Sequence, residues 1–459
     1  MGRRSKTHTL GAWMNGEYVG RWTVNAQGEH QFEYAEAWVS SAYGRSISLS
    51  MPMSRAGRLY KGAIVKNYFE NLLPDNDKIR ERIQQRFSTP SQSPFDLLNE
   101  IGRDCVGALQ LLPDGETPGN IRRIEAEAVS EEGIERILIN TPVFEQHQDD
   151  DDFRISIAGA QEKTALLLHE GRWMKPRGAT PTTHILKLPI GHHGDHGIDL
   201  TMSVENEWLC AQILEAFGIR TATCWPADFG ARQVLVVERF DRQLSRDGTW
   251  LMRLPQEDMC QAKGLSSEMK YEKNGGPGVE SIMDLLLGSA SAEADRAAFF
   301  KTQVIFWLLC AIDGHAKNFS IFLEPQGAYR LTPIYDVLSA YPVLGDRPGL
   351  VQEKQVKMAM ALIGKNRHYK WSELQRRHFE STAKACGVEV SGKALVDDVI
   401  ATTSEVIAKV TAKLPAGFPE RVAKPILDGL GFAAQRLEGV PSGKAADLDS
   451  LMPNLWQPR

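Results

Sequence analysis

The stretch that most limits what this chain can become is residues 311–339, AIDGHAKNFSIFLEPQGAYRLTPIYDVLS. It begins where an apolar helical run ends, continues through what reads as a short hairpin, and carries Asp313, Asn318 and Asp336 in that order. Phosphoryl transfer needs a carboxylate to orient the attacking hydroxyl. It also needs hard oxygen ligands, typically an Asn amide and an Asp carboxylate, for the Mg²⁺ that bridges nucleotide phosphates. An Asp and an Asn five positions apart, then a strand pair and a second Asp, supply that set. The same residues also suit a polar turn closing a helix, so the reading draws its weight from two stretches upstream.

The first is SIAGAQEKT, residues 156–164, expected to lie between two apolar strands. Gly159 among small residues would let backbone N–H groups approach phosphate oxygens, and Lys163 adds positive charge. A tight hairpin turn is the plainer alternative. The second is Lys187 in THILKLP, an ammonium in a strand rich in Ile and Leu, which calls for an anionic partner. A lysine guarding an edge strand against aggregation has the same signature. Glu207 on the next predicted helix, with Glu205 as its rival, is the candidate carboxylate partner. Glu238, Arg239 and Phe240 end the last strand before the helical half, where a hinge would offer main-chain groups to adenine.

Around these stretches the chain divides by pattern. Residues 11–53 alternate apolar and polar and are broken by Asn15-Gly16, Gln27-Gly28 and Gly44, which predicts a small antiparallel sheet with hairpin turns. Residues 67–87 read as helical, and residues 95–112 as a helix leading into a strand. Residues 145–152 end in four consecutive acids and read as an exposed linker. Residues 153–240 are strand-rich, interrupted by one helix over 201–217 with Gly218 as its cap. Beyond Asp241 the pattern is mainly helical, and the tail after residue 439 lacks periodicity and reads as poorly ordered. The implied organisation is 1–150, a β-rich subdomain with helices; 151–240, a nucleotide-binding part; 241–440, a helical lobe with the catalytic loop; and a tail over 441–459. That is an α+β, two-lobed, kinase-like order with nucleotide expected in the cleft between lobes.

Composition narrows the classes further. Over 459 residues, 42% hydrophobic and 24% charged with a net charge of -5, the chain reads as ordinary globular protein without a global nucleic-acid footprint. A local basic face is possible from Lys354, Lys357, Lys365, Arg367, His368, Lys370, Arg376 and Arg377, although a solvated helix surface is the commoner source of such a run. No run of about 18 apolar residues predicts a membrane span, and the basic start lacks the apolar core of a signal peptide. Six scattered cysteines read as buried reduced thiols, so a cytoplasmic protein is expected. GHHGDHG, residues 191–197, could tempt a metal, but no regular element fixes its ligands, and a solvated loop is expected.

Taken together, FRISIAGAQEKTALL, PTTHILKLPIG, VERFDR, RLPQEDMCQ, DGHAKNFSIF and RLTPIYDVLSAYPVL resemble the motifs of the HipA toxins over most of the chain. These are bacterial serine/threonine kinases of type II toxin–antitoxin modules. The resemblance implies a fold related to the phosphoinositide kinases, with ATP and Mg²⁺ as cofactors. It also implies a HipB-like antitoxin as partner, which carries the toxin onto operator DNA and represses transcription. The implied substrate is a protein serine, in the best-known members that of glutamyl-tRNA synthetase, with translation arrest and persistence as the outcome. By motif, Asp313 would be the catalytic base, Asn318 and Asp336 the metal ligands, and Lys187 a phosphate contact. Ala158, Gly159, Ala160, Gln161, Glu162 and Lys163 would form the nucleotide loop, with Glu238, Arg239 and Phe240 as hinge. His315, Lys317 and Tyr335 would join the nucleotide contacts, and Ser156 would be the autophosphorylation site that switches the enzyme off. The GHHGDHG loop and residues 347–367 depart from the family pattern. A small-molecule or lipid kinase, or a non-catalytic nucleotide-binding co-repressor, is the alternative.

Overall fold

The computed structural model describes residues 7–54, 59–140, 156–159, 161–194 and 197–439. The expected acidic linker, Ala160 of the nucleotide loop and the expected tail over 441–459 lie outside them. The chain groups into two compact units, neither of them contiguous. The first is Met1–Leu188, Ala227–Lys270 and Ser320–Thr332; the second is Pro189–Pro226, Tyr271–Phe319 and Pro333–Arg459.

In the first unit, β1 (His8–Met14), β2 (Glu17–Val24), β3 (His30–Tyr34), β4 (Leu59–Lys61) and β5 (Leu109–Pro113) form an antiparallel sheet in the order β4-β3-β2-β1-β5. The β1–β2 turn closes on Asn15 and Gly16, both at positive φ, as the dipeptide predicts. The alternation does not continue as strand to residue 53: Glu36–Ser40 is a short helix, and β3 finds its outer partner in β4. Helices α1 (Ala63–Glu70), α2 (Asp77–Phe87) and α3 (Pro94–Ile101) belong to the same unit. Trp22 of β2 stacks on Phe69 of α1 with ring centroids 3.9 Å apart and takes Phe95 of α3 edge-on, so three elements share one aromatic core. The predicted helix over 67–87 is interrupted at Pro74, whose ring is incompatible with a helix interior.

The sheet that carries Lys163 and Lys187 has the order β10-β11-β9-β7-β8-β6, built from β6 (Ala126–Ala128), β7 (Lys163–His169), β8 (Arg172–Pro176), β9 (His184–Lys187), β10 (Cys224–Phe229) and β11 (Arg232–Glu238). The expected strand preceding Lys163 is absent from the described residues: 156–158 carry no strand, and Gly159 makes only an isolated bridge to Pro74. A small sheet, β12 (Gln256–Asp258), β13 (Ser320–Leu323) and β14 (Tyr329–Leu331), completes this unit. That pairing draws residues 320–332 out of the stretch expected to form the helical lobe and into the strand-rich unit.

The second unit is built on α4 (Ser203–Ala216), α5 (Ala292–Leu308), α6 (Arg376–Ala385), α7 (Glu389–Thr411) and α8 (Glu420–Glu438). Helix α7 packs against α4, α5, α6 and α8, which is why α4 groups here and not with the preceding strands. Expectation and structure agree on α4 itself, with Gly218 just past its end at φ +81°. They differ after Asp241, where Arg242–Leu244 pairs with Leu251–Arg253 and Lys357–Ile363 with Arg367–Lys370. KMAMALI is a short continuous apolar run, and periodicity alone cannot distinguish a buried strand from a helix there.

Within the GHHGDHG stretch, Gly191–His193 pairs with Ile198–Leu200, so the flanks form a ribbon where a loop was expected. No cluster of three metal-ligating side chains occurs among the described residues, and no helix among them is long and apolar enough to cross a membrane. None of the six cysteines, all among the described residues, is in a disulfide, and five are buried.

Candidate active site

Asp313, His315, Lys317, Asn318, Tyr335 and Asp336 all fall in the second unit and converge there. Helix α5 delivers a run of buried side chains, ends near Leu308, and passes through Cys310 at φ +49°. A Cβ on Gly314 would lie 2.5 Å from the Phe306 ring, so only glycine allows this turn to fold back on its own helix. The Asp313 carbonyl then accepts from the His315 N–H (2.7 Å) and from Asn318 Nδ2 (2.9 Å). The same Asn318 amide nitrogen makes a longer 3.5 Å contact to the Asp336 carbonyl, so it holds the two acidic segments side by side. Tyr335 Oη donates to the Lys317 carbonyl at 2.9 Å, a second tie between them.

Asp336 adopts φ +62°, a left-handed conformation uncommon outside glycine, and such strain persists only where the surroundings impose it. Here they do, on both sides. Ile334 exchanges backbone bonds with Arg220 and Ala222 (2.8 and 2.9 Å). Ser339 bonds Asn206 of α4 in both directions (2.8 Å each), and its Oγ donates to the Leu309 carbonyl (2.6 Å). Asp313 itself is open, its side chain 61% exposed, with Oδ2 at 4.0 Å from His315 Nε2.

Ser156, the nucleotide loop, Lys187 and the expected hinge lie in the first unit. Lys163 and Lys187 face each other in register across β7 and β9. Directly opposed like charges destabilise a strand pair unless each finds an anionic partner. Gly159, at φ +108°, has the Lys163 Nζ within 2.5 Å of where a Cβ would stand, which brings the ammonium over the loop backbone. The loop is strapped on several sides. The Gly159 carbonyl accepts from the Asp75 N–H (3.1 Å), Gln161 Nε2 donates to the Leu188 carbonyl (2.5 Å), and Glu162 pairs with Arg82. Ser156 is fully buried and its Oγ donates to the Leu72 carbonyl at 2.7 Å. Glu205 and Glu207 are both buried on α4 in the second unit.

Of the expected hinge, Glu238 ends β11 opposite His184. Arg239 is differently employed. Its N–H donates to the Thr183 carbonyl (2.8 Å), and its guanidinium binds Asp241, Asp104, Thr182 and the Cys105 carbonyl. It belongs to a buried five-charge network, Asp104 and Asp241 against Arg239, Arg242 and Arg253. Burial works to raise Asp104, but the guanidiniums of Arg242, Arg239 and Arg253 overcome it and hold the carboxyl well below the usual range. Burial pulls Arg253 down to about 10. Sequence reading missed this network because Asp104 carries no motif; VERFDR held Arg239, Asp241 and Arg242 but not the distant Asp104 and Arg253.

The basic run of the second half is partly neutralised. Arg367 pairs with Glu272 and Glu280, Lys370 with Glu373, and Arg376 with Glu380 and Asp397.

An Asn amide ties two Asp segments in the second unit, and two lysines oppose each other across paired strands in the first. Comparison with known proteins assigns the family. Residues 155–413 match the HipA-like C-terminal domain and residues 10–112 the HipA N-terminal domain. The chain belongs to the HipA family. It is 31% identical over 408 residues to a protein of Sinorhizobium fredii named as a kinase, Y4mE, covering 87% of this chain and 91% of that one. It is 28% identical over 352 residues to the serine/threonine-protein kinase toxin HipA of Shewanella oneidensis, covering 73% and 76%. The solved complex of HipA, HipB and operator DNA from the same organism matches with a TM-score of 0.75 at 20% identity, covering 94% of this chain and 97% of that one, a likeness of fold.

Proposed function

We propose that this chain is an ATP-dependent protein serine/threonine kinase with the two-lobed arrangement of the kinase-related folds, acting as the toxin of a toxin–antitoxin pair. One observation carries the reading: the Asn318 amide ties the backbones of Asp313 and Asp336 together, which gathers a base and two oxygen ligands in one unit. Because the Asn318 nitrogen is spent on carbonyls, its Oδ1 is the group it would offer a cation, with the Asp336 carboxylate as the second proposed ligand. That donor set fits Mg²⁺, which keeps waters and phosphate oxygens in its shell and needs few protein ligands. When bound, the ion neutralises charge on the phosphates and draws them into line.

In this reading Asp313 orients the acceptor hydroxyl and takes its proton as the oxygen attacks the γ-phosphorus and the bond to ADP breaks. Lys187 and Lys163 meet the phosphates, Ala158 to Lys163 cradle them, and His315, Lys317 and Tyr335 shape the surroundings. The hinge role contracts to Glu238 and Phe240, since the Arg239 N–H and guanidinium are engaged elsewhere. Ser156 is the proposed autophosphorylation site. Close to two negative charges cannot enter a fully buried hydroxyl site, so phosphorylation would expel the loop and disable the enzyme.

The name of the Shewanella oneidensis relative supports the kinase-toxin reading, and its complex supports a HipB-like antitoxin as partner, with operator DNA reached through it. Glutamyl-tRNA synthetase in the cytoplasm is the proposed target, with growth arrest as the outcome. Phosphopeptide mass spectrometry after brief induction tests the whole: new serine phosphorylation on a translation protein is expected, and label confined to small metabolites would contradict it.

A further inference from the structure

Tyr271, which no motif singled out, donates its phenolic O–H to Asp313 Oδ1 at 2.6 Å. We propose that Tyr271 is a positioning residue of the transfer reaction: it holds one oxygen of Asp313 so that the other faces the acceptor hydroxyl. The inference rests on the kinase reading and adds a residue to it.

An exposed aspartate on a turn is a poor base while its carboxylate rotates freely, because catalysis needs one oxygen within hydrogen-bond reach of the departing proton. The backbone of Asp313 is fixed through its carbonyl by His315 and Asn318. Its side chain is held by Tyr271 on Oδ1, which leaves Oδ2, 4.0 Å from His315 Nε2, outside that bond.

The tyrosine is itself held. Its ring meets His315 edge-on, with centroids 5.1 Å apart. Its carbonyl accepts from the Asn274 and Gly276 N–H groups (3.0 and 3.1 Å). Glu272 beside it accepts from the Ala361 N–H (2.6 Å) and pairs with Arg367. A Cβ on Gly278 would collide with the Glu272 carboxyl, so the chain closes tightly over this anchor. A side chain tied down in this way serves to orient its partner and is ill suited to act as a displaceable gate.

Tyr271→Phe removes the hydroxyl and keeps the ring against His315. With γ-labelled ATP and a soluble bacterial protein extract as acceptor, the variant is expected to lose about 10- to 100-fold in kcat. Its KM for ATP and its melting temperature should stay at the wild-type values. In the Asp313→Ala background the same substitution should cost nothing further, since the group it orients is gone. Undiminished kcat, a loss carried by KM, or an undiminished loss without Asp313 would each overturn the positioning role and leave the kinase reading standing. A wild-type chain that transfers no phosphate would overturn both.

Discussion

Replacing Glu257 by glutamine should relieve the first unit of a pH-dependent penalty. Glu257 sits on β12 with no exposed surface. Its Oε1 accepts from the Leu49 N–H at 2.7 Å, while Oε2 is buried without a hydrogen-bond partner among the described residues. Burial, the dominant cause, pushes the carboxyl up from 4.5 to about 8. Below pH 4.5 the folded and unfolded chains both hold the proton. Between 4.5 and 8 the unfolded chain releases it while the folded one retains it, so stability falls as pH rises through that window. At about 1.36 kcal/mol per pH unit the full effect is capped near 5 kcal/mol, and the span from about pH 5.5 to 7.5 should account for roughly 2–3 kcal/mol. Glutamine keeps the shape of the neutral acid and does not titrate. Urea unfolding of both proteins, followed through the fluorescence of the Trp22 core, should show the variant gaining on the wild type as pH rises. Parallel pH profiles would refute the reasoning, because they would mean that Glu257 is ionised inside the fold.

Asp104→Asn should destabilise the first unit by about 3–5 kcal/mol in the same assay, because three buried guanidiniums would be left with Asp241 as their one carboxylate in the network. Ser156→Ala should keep or increase toxicity on induction at a cost of about 1 kcal/mol in stability, since it removes the acceptor of the disabling phosphate and one buried hydrogen bond; a growth assay showing full inactivation would refute the self-limiting role. Lys187→Met should weaken ATP binding by calorimetry at least about tenfold, and unchanged affinity would refute the proposed phosphate contact.

The candidate site is legible in the sequence where its parts are local. Asp313 and Asn318 share one turn, Lys187 interrupts an apolar strand, and Asn15-Gly16 names its own hairpin. What was not legible depends on partners distant in the chain. Asp104 meets arginines 135 to 149 residues away, and nothing in its neighbourhood marks it. Residues 320–323 pair with 256–258 and leave the helical half for the strand-rich unit, which no periodicity announces. FRISIA has the composition of a strand, yet its described residues bond to Asp104 and Leu72 instead of a ladder. Tyr271 escaped notice for the opposite reason: a lone tyrosine in a polar stretch has no pattern, and only its 2.6 Å contact gives it a role.

The most direct test is phosphate transfer from γ-labelled ATP by purified wild type, Asp313→Ala and Asp336→Ala, each shown to melt as the wild type does. The account predicts labelled protein with the wild type and at least a hundredfold loss, of order 10² or more, in both variants. Transfer that survives either substitution would contradict it.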